Sequence, residues 1–224
     1  PYLIDKKSLN ELSTLLKKNQ TLIIGGSTKD KGNFYNSLFS ISKSNYTKFD
    51  KKILVPFGEF LPLRDYLNFL ENISGPFDFY PGKNNRFIEL TNEISFIPII
   101  CYEIIFYWKI INSLNEKSNF IINITNDIWF GNMIGPYQHL YLVKLRAAEF
   151  NKTIIRVSNN GISSIISNEG KILKNTSLNK EEYMKTNIEV DKNNNFIKFH
   201  TIYSICIMFY LLFLFIYNFK FKNE

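Results

Sequence analysis

Cys101 stands where a thiol could act as a nucleophile. The apolar run Ile94–Ile100 predicts a buried strand that ends directly before this cysteine. A strand end holds the backbone of a nucleophile while its side chain stays accessible, and the N–H groups of the next residues can stabilise an oxyanion. A buried cysteine is nevertheless more often structural than catalytic. The residues around Cys101 therefore leave both interpretations open.

A lysine and a glutamate flank a short apolar segment earlier in the chain. Lys51 and Glu59 are separated by apolar residues and by Pro56 and Gly58, which predict a bend. Such a bend would let the ammonium and the carboxylate converge on one pocket. The simpler interpretation is two surface charges on a turn, and these residues taken alone favour it.

The elements that must position these side chains alternate between strands and helices. Leucines at helical spacing predict a helix over Ser8–Asn19, and a short strand over Thr21–Gly25 is expected to stop at its glycine. Tyr137–Phe150 has helical character as well. Further strands are predicted over Ile94–Ile100, Asn119–Ile124, Thr153–Val157, Ile162–Ile166 and Lys171–Leu173. This alternation indicates an α/β layered domain, which we expect over residues 1–198.

The C-terminal region, residues 199–224, has a different character. Thr201–Phe219 is a run of 19 residues without a charged side chain, and Lys220 and Lys222 follow it. As a helix this run would be about 28 Å long, close to the roughly 30 Å hydrocarbon core of a bilayer. We therefore predict a transmembrane helix with a short cytoplasmic tail, which places the preceding domain on the non-cytoplasmic side. A buried core helix is the alternative.

The composition excludes several classes of function. The net charge of +7 comes from lysines scattered along the chain, whereas a nucleic-acid-binding protein would be expected to cluster them, so no nucleic acid is expected as a partner. Two cysteines and two histidines are too few for a disulfide scaffold or a Cys/His metal site. We accordingly expect no metal and no other cofactor.

Five motifs succeed one another along the chain: Lys51 with Leu54-Val55-Pro56-Phe57-Gly58-Glu59, Cys101-Tyr102-Glu103, Thr125-Asn126-Asp127-Ile128-Trp129-Phe130-Gly131, Arg146-Ala147-Ala148-Glu149 and Arg156-Val157-Ser158-Asn159-Asn160-Gly161. Together and in this order they resemble the apolipoprotein N-acyltransferase family of the nitrilase superfamily. The first and third motifs are specific to this family among nitrilase relatives. The resemblance runs from the start of the chain to its C-terminus.

The resemblance implies a nitrilase-like αββα sandwich and an acyl transfer reaction. The family moves an acyl chain from a phospholipid to the N-terminal amine of a diacylglyceryl-apolipoprotein, at the periplasmic side of the bacterial inner membrane. Cys101 matches the nucleophile, Lys51 the triad lysine and Glu59 a second essential glutamate. Supporting or substrate-binding positions are Tyr102, Glu103, Asn126, Trp129 and Phe130.

The sequence departs from the family at one catalytic position. The triad glutamate, which is the general base, belongs to a Trp-Pro-Glu segment that has no match here. Pro1-Tyr2-Leu3 resembles the family's residues a few positions after that glutamate. We therefore expect a C-terminal portion of the family's chain, with a sandwich that lacks its first strand.

Other residues in these motifs have more modest expected roles. We expect Arg146 and Glu149, three residues apart on a helix, to form a structural ion pair. His139 is expected to be a helix residue with satisfied hydrogen bonds, and Arg156 to orient loops. Asn126 and Asp127 would shape the pocket around Cys101. Trp129 and Phe130 would line the substrate entrance or, equally, belong to the core.

Two alternatives to an N-acyltransferase remain open. A nitrilase-type amidohydrolase would use Lys51 and Cys101 in the same way, with water attacking the thioester. It would not explain the apolar C-terminal run. A membrane-tethered binding module that has lost catalysis together with its glutamate is the other alternative.

Overall fold

The computed structural model describes residues 3–67, 69, 77–114, 117–188 and 199–221. The chain divides into two compact units, Pro1–Asn194 and Asn195–Glu224. All the catalytic candidates lie in the first unit. The predicted domain boundary after residue 198 stays a prediction, because residues 189–198 lie outside the described ranges.

The first sheet is an antiparallel meander of three strands. In order they are β1 (Thr21–Asp30), β2 (Asn33–Ser42) and β3 (Tyr46–Asp50). The helix α1 (Lys6–Thr14) begins where the Asp5 carboxylate accepts the Ser8 N–H at 2.8 Å, so it starts and ends earlier than predicted. Its buried Leu9 packs against Phe39 and Ile41 of β2.

β1 does not stop at Gly25 as the sequence predicted. Every residue from Thr21 to Asp30 pairs with β2. A Cβ at Gly25 would lie 2.8 Å from Cδ1 of Ile124, which belongs to the second sheet. Glycine here permits a close approach between the two sheets and does not break the strand.

The second sheet has six strands in sequence order, with a parallel centre. The strands are β4 (Ile88–Glu89), β5 (Ser95–Ile100), β6 (Phe120–Asn126), β7 (Ile154–Asn159), β8 (Ser164–Ile166) and β9 (Ile172–Asn175). β5, β6 and β7 pair in parallel, whereas the flanking strands are antiparallel. All six residues of β5 are buried, which fits a strand with both faces covered. The strands predicted from the sequence in this sheet, β5 to β9, are confirmed, with ends that shift by one or two residues, whereas β4 was not predicted.

The two sheets stack face to face on one apolar core. Leu38 and Phe49 of the first sheet pack with Phe96, Ile100 and other apolar residues of the second. The helix α4 (Gly135–Phe150) contacts the opposite face of the second sheet, because Arg156 of β7 points away from this core and reaches His139. With α1 on the outer face of the first sheet, the layers follow the predicted αββα order.

Short helices begin where two of the parallel strands end. A 3₁₀ helix, Cys101–Ile105, follows β5, and another, Asp127–Phe130, follows β6. The short helices α2 (Arg64–Leu67) and α3 (Tyr107–Ile111) also belong to the first unit. Because β5 and β6 are parallel and in register, with Ile100 opposite Ile124, both 3₁₀ helices lie at the same edge of the sheet.

The second unit contains the helix α5 (Phe199–Phe221). Within the part of the chain that the structure describes, no helix is long and apolar enough to cross a membrane. The transmembrane span predicted over Thr201–Phe219 is therefore not confirmed, although its helical character is.

Candidate active site

Cys101 occupies a strained turn at the end of β5. Its φ angle is +50°, a left-handed value that is unusual for a residue other than glycine. Such a conformation costs about 1–3 kcal/mol and persists only where the surroundings enforce it, which is common at active sites. The side chain is partly exposed. The predicted position at a strand end is confirmed.

Lys51 and Glu59 form an ion pair that is largely enclosed by the protein. Lys51 Nζ lies 2.7 Å from Glu59 Oε2, and the two side chains are 1% and 12% exposed. Glu59 also accepts hydrogen bonds from the Val55 N–H at 2.8 Å and from Asn36 Nδ2 at 2.7 Å. The expectation of two surface charges was wrong, because the turn after Val55 folds Glu59 back over the end of β3.

Glu103 is a fully buried carboxylate in the 3₁₀ helix that begins at Cys101. Arg86 binds it through two nitrogens, with distances of 2.6 Å to Oε1 and 2.9 Å to Oε2. Oε1 also accepts the N–H groups of Lys52 at 2.8 Å and Ile53 at 3.2 Å. Oε2 accepts the Ile100 N–H at 2.9 Å.

These contacts connect the two segments that carry the predicted catalytic residues. Lys52 directly follows Lys51, and Ile100 directly precedes Cys101. One carboxylate therefore binds the backbone on both sides of the site. Arg86 was missed in the sequence because it follows the polar run Lys83-Asn84-Asn85, which looks like an ordinary loop.

Asp127 is the centre of a second buried network, beside the end of β6. Its carboxylate binds His139 Nδ1 at 3.0 Å, Arg156 Nη2 at 2.5 Å and the Ser158 hydroxyl at 2.8 Å. Burial alone would raise the pKa of Asp127. The hydrogen bond from His139, the charge of Arg156 and the hydrogen bond from Ser158 outweigh it and lower the pKa to about 2.

Arg156 has the role that the sequence predicted, orienting the loops beside the site. Its Nη1 donates to Asn123 Oδ1 at 3.0 Å and its Nε to the Ile162 carbonyl at 3.2 Å. Burial lowers the pKa of the guanidinium, while the charge of Asp127 and the hydrogen bond to its carboxylate oppose that shift. The neighbouring carboxylate therefore favours the charged form of this buried arginine.

His139 is only half satisfied by hydrogen bonds. Nδ1 binds Asp127, whereas Nε2 is buried and has no hydrogen-bond partner in the described part of the chain.

The predicted Arg146–Glu149 ion pair is confirmed. Arg146 also donates to the carbonyls of Ile104 and Ile105, at 2.9 Å and 3.0 Å, so it anchors the 3₁₀ helix that begins at Cys101.

The remaining predicted residues lie at the same edge of the sheet but nearer the surface. Asn126 ends β6, and its side chain accepts the Ile128 N–H at 3.3 Å. Trp129 is 72% exposed, so it does not belong to the core. Phe130 is partly exposed, with its ring centroid 5.0 Å from that of His139. Tyr102 packs edge-on against Phe106.

A cavity of about 830 Å³ adjoins the Glu103 cluster. Its walls include the apolar side chains of Ile53 and Phe60, and the cations Lys52, Arg86 and Lys109. It therefore borders the residues that directly follow Lys51 and Glu59.

A parallel strand that ends at a strained cysteine, beside an enclosed lysine–glutamate pair in an αββα sandwich, defines a protein of the nitrilase type. Residues 3–195 match the carbon-nitrogen hydrolase family, and the chain belongs to that family.

Curated apolipoprotein N-acyltransferases are among the relatives of the chain. The protein of Rickettsia typhi is 37% identical over 189 residues, which are 81% of this chain and 38% of the relative. The protein of Rickettsia bellii is 34% identical over 220 residues, which are 94% of this chain and 44% of the relative. The chain thus spans less than half the length of the curated relatives it matches.

Solved structures share the fold. A carbon-nitrogen hydrolase from Helicobacter pylori G27 has a TM-score of 0.61 at 14% identity, over 79% of this chain and 64% of that chain. Nit3 of Saccharomyces cerevisiae, a member of branch 10 of the nitrilase superfamily, has a TM-score of 0.58 at 19% identity, over 80% and 65% of the two chains. The expected nitrilase-like fold is confirmed.

Proposed function

We propose that this chain carries the reactive cysteine of an apolipoprotein N-acyltransferase. One observation carries the proposal: the Glu103 carboxylate binds the backbone beside both Lys51 and Cys101, next to the Lys51–Glu59 ion pair. The names of the curated relatives support the choice of reaction. The acyl donor is a phospholipid, and the acceptor is the N-terminal amine of a diacylglyceryl-apolipoprotein.

In the first half-reaction the Cys101 thiolate attacks the ester carbonyl of the phospholipid. A carbon–sulfur bond forms, the ester carbon–oxygen bond breaks, and the lysophospholipid leaves with a proton. The Lys51 ammonium and the Tyr102 N–H stabilise the oxyanion that forms on the way. The thiol proton goes to the general-base glutamate that the family resemblance implies and that has no match in these 224 residues.

In the second half-reaction the acceptor amine attacks the thioester. A carbon–nitrogen bond forms, the carbon–sulfur bond breaks, and the amine proton passes through the same general base to the departing Cys101 sulfur, which regenerates the thiol. Glu59 orients the Lys51 ammonium in both steps, because its carboxylate is the direct partner of the ammonium. These exchanges involve the ester, the thiol and the amine alone, and require no metal and no other cofactor.

The donor and acceptor place the reaction at a membrane surface. The expected location is the bacterial inner membrane, with the αββα domain on the periplasmic side. The exposed Trp129 and Phe130 supply an apolar entrance for the acyl chain at the sheet edge where Cys101 lies. The cavity beside Lys52 offers room for part of the donor.

The test is mass spectrometry of the thiol after exposure to a donor. Membranes containing the protein at its natural length are incubated with a phospholipid of defined acyl chains, and peptides are analysed with and without hydroxylamine. We expect a hydroxylamine-labile acyl group on Cys101, which disappears in Cys101→Ser and persists in Cys206→Ser.

Addition of a diacylglyceryl-cysteine peptide should then move the acyl group to the peptide as an amide. An unmodified Cys101 in the wild-type protein would contradict the proposal. Release of free fatty acid, with no amide formed, would instead identify an amidohydrolase-like activity.

A further inference from the structure

We propose that Arg86 is a positioning residue that sets Cys101 against Lys51 by holding the Glu103 carboxylate between their two segments. This inference rests on the proposed function only in taking Cys101 as the reactive thiol and Lys51 as its cation. Arg86 belongs to none of the motifs in the sequence. Its role is inferred from the contacts of its guanidinium.

The guanidinium is fixed by both sheets. Its centre lies 4.9 Å from the ring centroid of Phe49, which belongs to β3 in the first sheet. Nη1 also donates to the carbonyl of Pro98 in β5, at 2.8 Å. Arg86 and Glu103 are both buried, with side chains that are 1% and 0% exposed. The arginine therefore holds the carboxylate at a defined place between the sheets.

The carboxylate requires this cation to remain charged. A buried carboxylate without a cationic partner would take up a proton or rearrange, since its desolvation is costly. As a charged group, Glu103 accepts three backbone N–H groups, those of Lys52, Ile53 and Ile100. Hydrogen bonds to an ionised acceptor are roughly twice as strong as neutral ones.

The backbone that Glu103 binds determines how Cys101 is presented. Ile100 precedes the cysteine, whose φ of +50° has to be enforced by its surroundings. Lys52 follows the lysine whose ammonium would stabilise a thiolate. Loss of Arg86 should relax both segments together, and thereby separate the thiol from its cation without removing either group.

The test measures the reactivity of the thiol in the absence of any acyl donor. In a Cys206→Ser background, at the protein's natural length, Cys101 is alkylated with iodoacetamide from pH 5 to pH 10. We expect Arg86→Met to slow alkylation at pH 7 by at least tenfold and to move the midpoint of the pH profile upward. Arg86→Lys keeps the charge but not the paired geometry, and should restore part of the rate.

Glu103→Gln should reproduce the effect of Arg86→Met, and the double variant Arg86→Gln/Glu103→Gln should be slowed relative to wild type by about as much as either of these single variants. The double variant also leaves no unpaired buried charge, so it serves if Arg86→Met fails to fold. Arg64→Met removes an arginine that pairs with Asp78 and should alkylate like wild type.

A folded Arg86→Met or double variant with the wild-type rate and pH midpoint would overturn the proposal and leave Arg86 a purely structural residue. Because alkylation requires no phospholipid, this outcome is independent of acyl transfer. A slow Arg86→Met in a protein that never forms an acyl thioester would keep the positioning role and reject the proposed function.

Discussion

Lys51 Nζ lies 2.7 Å from Glu59 Oε2, and only 1% of the lysine side chain is exposed. An ammonium enclosed to this degree depends on its carboxylate, because removing one partner of a buried ion pair leaves an uncompensated charge. The pair is therefore a requirement of the fold, and under the proposed function its ammonium acts on Cys101.

Glu59→Gln should affect both the stability of the fold and the proposed reaction. We expect it to lower the free energy of unfolding by about 3–5 kcal/mol, the usual cost of breaking a buried pair. We also expect acyl-thioester formation to fall by at least about 100-fold, the scale of losing one group that stabilises an oxyanion. Urea denaturation and the Cys101 acylation assay measure the two effects.

Lys171→Ala is the matched control for this prediction. Lys171 pairs with Glu169 at 2.7 Å, and their side chains are 75% and 64% exposed. Pairs that water can reach contribute about 1 kcal/mol or less, so the control should change little. Wild-type acylation by Glu59→Gln would reject the role assigned to the pair.

Asp127 should make stability depend on pH in the acid range. Folding lowers the pKa of this carboxyl from 3.8 to about 2, so the ionised form stabilises the native state. The stabilisation, about 2 kcal/mol, is complete above about pH 4 and is lost as the pH falls toward 2. Asp127→Asn should remove this part of the pH dependence, as measured by urea denaturation at pH 6 and pH 2.5.

Glu169→Gln provides the comparison for the acid titration. Hydrogen bonding to Lys171 lowers the pKa of Glu169 as well, but both side chains are largely exposed. Solvent screens such a pair, so this variant should keep the wild-type pH dependence. Identical acid profiles for wild type and Asp127→Asn would contradict the prediction.

Gly161→Ala should disrupt the Asp127 network from the side of the β7–β8 turn. A Cβ at this position would overlap Asp127 Oδ2 and Ser158 Oγ. Overpacking of this kind costs about 1–3 kcal/mol, and here it should also displace the hydrogen bond from Ser158 to Asp127. We expect lower stability together with a weaker acid dependence, measured by the same denaturation series.

Gly32→Ala distinguishes steric overlap from backbone strain. Gly32 has a φ of +88°, and no atom lies within 4 Å of a Cβ placed there. It should lose about 1–2 kcal/mol from conformational strain alone, with the acid dependence unchanged. If both glycine variants keep the wild-type acid profile, the proposed link between Gly161 and Asp127 is wrong.

Trp129→Ala should affect the reaction with membrane lipid more than the fold. With 72% of its surface exposed, Trp129 contributes little packing, and we expect a change in unfolding free energy within about 0.5 kcal/mol. Acylation of Cys101 by phospholipid vesicles should slow, whereas acylation by a short water-soluble ester should not. Tyr183→Ala, at a position that is 93% exposed, is the control and should alter neither rate. Equal slowing with both donors would mean that Trp129 acts in the acyl transfer step itself and not in the entry of the lipid.

Most strands of the second sheet could be predicted, because apolar runs such as Ile94–Ile100 report burial directly. The strands β2, β3 and β4 were not predicted, and neither was the end of β1. Glycine usually weakens a strand, yet at Gly25 it accommodates Ile124 of the other sheet. That contact depends on how the two sheets stack, which local periodicity does not encode.

The site was predictable wherever a motif marks a residue. Cys101, Lys51 and Glu59 could be proposed from the motifs, and the structure places Lys51 and Glu59 in contact. Arg86 could not, since no local pattern distinguishes a buried arginine from one in a polar loop. Asp127 was named from its motif, but its contacts with Arg156 and His139 were not predicted, because these partners come from β7 and α4.

The sequence by itself determined the chemistry that is available, a thiol, an ammonium and carboxylates in the order of a known family, and the strands that carry them. Only the tertiary structure decided that one carboxylate, Glu103, binds the backbone beside both Lys51 and Cys101. The physical reason is burial. A buried carboxylate such as Glu103 needs hydrogen-bond donors within the protein, because water no longer supplies them. One of its donors, the Lys52 N–H, is about 50 residues away in the sequence, and no spacing rule predicts a contact over that separation.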